Sequence, residues 1–179
     1  MTQTNTRKVF FELVNSAPVV VWTRLDNSKL LRERPDFHPE PNTFEHIRIV
    51  TERLMATDDP DLIMAGMLHD ICKIDTVRIN PKTGFPTCPG HDHEAAKLVS
   101  TNKDVQEWIV NRGANVEMVA QLCNQHMRFH QFGQMKPSKQ QAFTEMACWD
   151  KLQFLGAADN MLSEFDKDDL DKSFKWNRK

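Results

Sequence analysis

Seven histidines stand at positions 38, 46, 69, 91, 93, 126 and 130, and several share a helical face with apolar or small residues. His46 lies on one face with Ile49 and Val50, three and four residues on. His69 lies on one face with Ala65 and Gly66, whose small side chains let another helix come close. Asp159 falls on the stripe Cys148, Leu152, Leu155, which has helical spacing. A carboxylate on an apolar stripe is informative, because a buried charge is costly unless a cation or a hydrogen-bond donor meets it. A metal ion would be such a partner.

Each piece alone is weak. A lone histidine on an apolar face is more often a hydrogen-bonded core residue than a ligand, and the His-Asp dipeptide occurs twice, at 69–70 and 91–92. The joint pattern is stronger. Imidazoles and carboxylates recur on separate predicted helices in the order His, His-Asp, His, His, Asp. Mixed nitrogen and oxygen donors suit Mn, Fe, Co, Ni, Zn or Mg.

Helical patterns must position these groups. A first helix is predicted over about 6–15, and Val19-Val20-Val21-Trp22 reads as a buried extended or helical piece, since one strand makes no sheet. Residues 33–42 hold three prolines and read as a loop. Asn42 then caps a helix with Glu45 as capping-box partner, and Asp59 with Pro60 opens another that runs to about Cys72. Residues 75–90 read as a loop; helices follow at about 91–102, 104–112 and 116–130, with Gly113 closing the middle one. One long helix is predicted after Pro137, capped by Ser138 and reaching about Phe165, before a charged tail from Lys167.

The 179 residues suggest one domain, 1–179. Hydrophobic residues at 40% and charged residues at 27% mark a globular chain, and a net charge of -2 gives no basic field toward nucleic acid or membrane. Cysteines 72, 88, 123 and 148 form no C-x-x-C pair and read as reduced thiols of a cytoplasmic protein. The N-terminal MTQTNTRKVFFELVN does not read as a signal peptide, and no run approaches the ~18 apolar residues that span a bilayer.

The segments FHPEPNTFEHIRIV (37–50), AGMLHDICK (65–73), GHDHEAAKLV (90–99), NQHMRFH (124–130) and GAADN (156–160) together resemble the HD superfamily of metal-dependent phosphohydrolases. The likeness extends to the HD domain of bacterial CCA-adding tRNA nucleotidyltransferases. That domain shares a HPE-containing loop, a HDxxK, a GH, a H-x-x-x-H pair and an Ala-Asp pair. No polymerase domain has room in this chain. The resemblance implies an all-α HD-domain helical bundle with a metal site in its core, over about residues 37–162.

It also implies site residues. His46, His69, Asp70 and Asp159 would hold a principal divalent metal. Asp70 would bridge to a second ion held by His91 and His126. His91 is preferred to His93 because it follows Gly90 and has Ala95 four residues on. Lys73, matching the lysine of HDxxK, is a candidate phosphate clamp or a solvated helix-end lysine. His93 is a candidate proton donor or merely solvated. His130, one turn after His126, would hydrogen-bond a ligand carboxylate or the substrate phosphate. Arg128 neighbours His126 and is a phosphate-binding candidate, though its helix position puts it off that face. His38 organises its loop. Cys72 replaces a glycine common in the family.

The implied reaction is hydrolysis of phosphate mono- or diesters of nucleotides or nucleic-acid ends, with one or two divalent ions lowering the pKa of water from ~16 toward ~7. Asp70 would both bind metal and take a proton, and loops 75–90 and 131–137 would shape the substrate's seat. A homo-oligomer is left open. The alternative is a nucleic-acid or protein binding module on the HD scaffold, since KSFKWNRK interleaves Phe174 and Trp176 with four basic residues. An intact ligand set speaks against a purely non-catalytic role.

Overall fold

The structure, a computed structural model, describes residues 3–33 and 40–160. His38, the tail from Lys167 and the predicted helix end at Phe165 lie outside the described residues. Helix α1 spans Gln3–Asn15 and buries Phe10, Leu13 and Val14, spaced three and four apart. Pro18 leads into α2, Val19–Ser28, which buries Val21, Leu25 and Ser28. The Val-Val-Val-Trp run is therefore helical, because only a helix puts 21, 25 and 28 on one face.

Helix α3 is Thr43–Leu54, and the Asn42 side chain accepts from Glu45 N at 2.9 Å, as the cap was predicted to do. The reciprocal half of the capping box does not form, because the Glu45 carboxylate accepts from Arg48 instead. Helix α4, Pro60–Leu68, begins with Asp59 accepting from Asp61 N and Leu62 N. It stops four residues short of the predicted end at Cys72. His69 and Asp70 lie in the turn that follows, before the short α5, Lys73–Thr76.

The predicted loop 75–90 contains a two-stranded antiparallel ribbon, β1 Arg78–Ile79 and β2 Pro86–Thr87. Its turn closes on Asn80, whose carbonyl accepts from Gly84 N at 2.8 Å, and Gly84 takes φ +69. Helices α6 (His91–Thr101), α7 (Lys103–Asn111) and α8 (Val116–His130) follow. Gly113 ends α7 in the left-handed conformation, φ +78, as predicted.

The single long C-terminal helix is two: α9, Pro137–Thr144, and α10, Trp149–Asp159. Pro137 itself opens α9 after Lys136, and Ser138 is not its cap. Packing explains the break. Phe143 and Trp149 lie on different faces of any continuous helix, yet their rings meet at 5.6 Å, and Trp149 stacks on Phe132 at 4.9 Å. The turn at 145–148 turns both rings into one aromatic cluster.

The result is an all-α bundle. Helix α8 packs against α4, α6 and α10, and α3 against α1, α4 and α10. One apolar cluster joins Phe10, Leu25, Ile47, Leu68, Val99 and Ile109; another joins Val50, Leu54, Leu122, Phe143 and Leu155. Gly66 permits the close α3–α4 approach that its size suggested: a Cβ there would meet Thr51 Cα at 3.2 Å. Among the described residues, no helix is long and apolar enough to cross a membrane.

Candidate metal centre

Five segments each deliver a buried donor to one place. His46 comes from the first turn of α3, His69 and Asp70 from the turn after α4, His91 from the first position of α6, His126 from α8 and Asp159 from the end of α10. They form two groups, His46–His69–Asp159 and Asp70–His91–His126, each with ligand atoms within 4.8 Å of one another.

Asp70 joins the groups. Its Oδ2 lies 3.4 Å from both His46 Nε2 and His69 Nε2. Its Oδ1 lies 3.0 Å from His91 Nε2 and 3.6 Å from His126 Nε2. Asp159 Oδ1 is 2.9 Å from His46 Nε2 and 3.7 Å from His69 Nε2.

The ring orientations test whether a metal fits. His69 Nδ1 meets Gly66 O at 2.9 Å, His91 Nδ1 meets Cys88 O at 2.6 Å and His126 Nδ1 meets Cys123 O at 2.7 Å. A carbonyl only accepts, so each Nδ1 carries a proton and each Nε2 is turned inward, where a neutral ring presents a lone pair. Nε2 of His46 faces Nε2 of His69 at 3.4 Å, and Nε2 of His91 faces that of His126 at 3.2 Å. Facing lone pairs repel unless a proton or a metal cation lies between them. Backbone carbonyls behind the rings and carboxylates beside them are the usual support of metal-bound imidazoles. The donor set fits one or two divalent cations.

Electrostatics state the same demand for positive charge. Burial pulls the His69 pKa down, but Asp70 and Asp159 outweigh it and push it up to about 10. Burial likewise opposes charge on His46, and Asp159 with Glu40 reverses it upward. His126 moves the other way, lowered by burial beyond what Asp70 restores. Burial alone would raise both carboxyls. Lys73 and His69 instead hold Asp70 well below the usual range, and His130 with its hydrogen bond does the same for Asp159.

The other predicted residues fall in different places. His130 joins the site: its Nε2 meets Asp159 Oδ2 at 2.7 Å, and its side chain is 26% exposed. His93 does not join; it is 72% exposed and its Nδ1 meets Asn124 Oδ1 at 2.6 Å. Arg128 is exposed, with its guanidinium over the Phe143 ring at 4.6 Å. Lys73 is neither solvated nor open toward a substrate. It is buried, with Nζ 2.8 Å from Asp70 Oδ2 and 2.9 Å from Glu33 Oε1.

Two acidic residues escaped the sequence reading. Glu33 pairs with Lys73, and Glu40 Oε1 lies 3.7 Å from His46 Nδ1. Both are buried. Glu33 sits in the charged run Arg32-Glu33-Arg34, which reads as surface. Glu40 belongs to the HPEPN stretch, whose position just before the first histidine was the available signal.

A family model described as HD domain matches residues 42–160. Searches of curated proteins and of solved structures return no match, so the narrower likeness to the CCA-adding enzymes' HD domain finds no support there. The matched span covers well over half of the chain and contains all six buried donors, and the chain belongs to the HD domain family, whose members are generally metal-dependent hydrolases.

Proposed function

We propose that this protein is a metal-dependent phosphohydrolase that cleaves phosphate mono- or diesters of nucleotides or of nucleic-acid ends. The observation that carries the reading is the pair of facing Nε2 couples on either side of Asp70, buried, with His69, His91 and His126 backed by carbonyls. His46, His69, Asp70 and Asp159 would hold one divalent ion, and Asp70, His91 and His126 a second. Bound there, such ions supply a hydroxide nucleophile at neutral pH and neutralise charge on the phosphate.

The chain's own groups do the rest. Asp70 presents one oxygen to each histidine couple and so fixes their spacing. His130 links the buried Asp159 carboxylate to solvent. Burial opposes charge on its ring, and Asp159 more than restores it, raising its pKa. Its partly exposed ring lies at the edge of the site, placed to pass a proton to a leaving oxygen or to grip a phosphate. Lys73 orients Asp70. Nucleotide or nucleic-acid-end substrates follow from the family likeness. The four cysteines are free thiols, which favours a reducing, cytoplasmic setting.

Elemental analysis of the purified protein, then a phosphate-release screen over nucleotides, cyclic nucleotides and phosphorylated oligonucleotides with several metals, tests this. Release should require a divalent cation and disappear in Asp70→Ala. No metal-dependent release from any of these substrates would rule the hydrolase out, and a folded Asp70→Ala protein with undiminished turnover would rule out catalysis at this centre.

A further inference from the structure

Lys73 follows Asp70 by three residues, and its ammonium is shared between that carboxylate and Glu33. All three side chains are at most 10% exposed. Glu33 arrives from a different part of the chain, forty residues earlier, on the segment that leaves α2. It is held firmly. Thr43 Oγ1 donates to Glu33 Oε1 at 2.7 Å, and Thr43 N donates to Leu31 O at 3.0 Å, tying the segment to the first turn of α3. A buried ammonium with one carboxylate partner is poorly compensated; with two it is neutralised and fixed. Asp70 Oδ2 is also the oxygen that faces His46 and His69. Lys73 and a cation between those rings therefore draw on the same atom.

We infer that Glu33 is a positioning residue of the centre: by neutralising Lys73, it leaves Asp70 free to serve a divalent cation and locks the carboxylate in the rotamer that spans both histidine couples. This rests on the metal reading above. Lys73 is a strut under this arrangement and not a phosphate clamp. If Glu33 instead withheld Lys73 from a phosphate, removing it would tighten substrate binding, which is the opposite outcome.

The test is calorimetric titration of Mn²⁺ into the metal-stripped full-length protein, with thermal unfolding followed in parallel. Glu33→Gln leaves Lys73 competing with the cation and should weaken Mn²⁺ binding by about tenfold or more, the usual scale for a residue behind a ligand. The double variant Glu33→Gln with Lys73→Gln removes the competing charge and should bind Mn²⁺ more tightly than Glu33→Gln alone, a rescue that a purely structural strut would not show. Thr43→Val, which keeps every charge and loses the hydroxyl's bonds to Glu33 at 2.7 Å and, more weakly, to Leu31 O at 3.5 Å, should weaken binding in the same direction by a few-fold, and serves if Glu33→Gln does not fold. Unaltered Mn²⁺ affinity in Glu33→Gln, a double variant weaker than the single, or a lowered KM in Glu33→Gln each overturns the inference while leaving the metal reading intact. Absence of Mn²⁺ binding in the unmutated protein overturns both.

Discussion

His91 and His126 point their Nε2 atoms at each other across 3.2 Å, while each ring's Nδ1 is tied to the carbonyl three residues before it. The backbone thus fixes both rings in a contact that is unfavourable for two neutral imidazoles. His46 and His69 likewise face each other through Nε2 at 3.4 Å, with the His69 ring fixed by Gly66 O. Folding of the bundle and binding of a cation are therefore linked.

From that linkage, chelation should destabilise the protein. A cation that binds only the folded state adds about 2.7 kcal/mol at a hundred times its Kd. For a chain of this size that corresponds to a Tm difference of about 5–10 °C. Calorimetry in EDTA and in excess Mn²⁺ measures it. Identical Tm values would mean that the donor cluster holds no ion.

The two groups of donors should empty separately. His91→Ala removes a donor from one group only, so metal content should fall by one ion per chain while the His46–His69–Asp159 group stays loaded. Asp70→Asn touches both groups, and should cost more than about 100-fold in affinity at each, beyond the loss typical of a residue that only supports a ligand. Metal-to-protein ratios after desalting, read by plasma mass spectrometry, separate the cases. A His91→Ala protein with the full ion content would show that the second group is no metal site.

How far these arrangements were legible in the sequence follows helical arithmetic. His126 and His130 are four residues apart, so they share a face of α8, and both reach the cluster. His91 and His93 are two apart, about 200° around a helix, so only one can face inward. Arg128 is related to His126 in the same way and lies outside. The break between α9 and α10 was not legible, because the 137–159 stretch keeps a helical pattern throughout; the rings of Phe132 and Phe143 around Trp149 decide it. Glu33 was invisible for a different reason. Its partner is forty residues away, and a glutamate between two arginines gives no sign of burial.

Thiol chemistry gives a prediction with a definite pH sign. Cys123 and Cys148 are fully buried, and burial pushes both thiols up. Between the ordinary thiol pKa and the raised folded value, the folded state keeps protons that the unfolded state has lost. Stability contributed by these groups is then present below the ordinary value and falls as pH rises through that window. Native protein at pH 8 should react with Ellman's reagent at no more than one fast site, the partly exposed Cys88, and at all four cysteines in guanidinium. Two or more fast thiols in the native state would contradict the burial of Cys72 before α5, Cys123 on α8 or Cys148 before α10.

Gly156 lies three residues before Asp159, where α10 crosses α8, and a Cβ there would overlap the ring of Phe129. Phe129 is buried, with Trp149 5.8 Å away and His130 next in sequence, so it has little room to yield. Gly156→Ala should therefore cost about 1–3 kcal/mol, the range for overfilling a packed core. It should also lower turnover, because any shift of Phe129 or α10 stretches the 2.7 Å contact between His130 and Asp159. Gly133→Ala is the matched control: a Cβ there has nothing within 4 Å, and its effect should stay within about 0.5 kcal/mol. Denaturant midpoints of the two variants, set beside kcat, decide the matter. Equal stability of the two would mean that α8 and α10 do not approach as closely as the site requires.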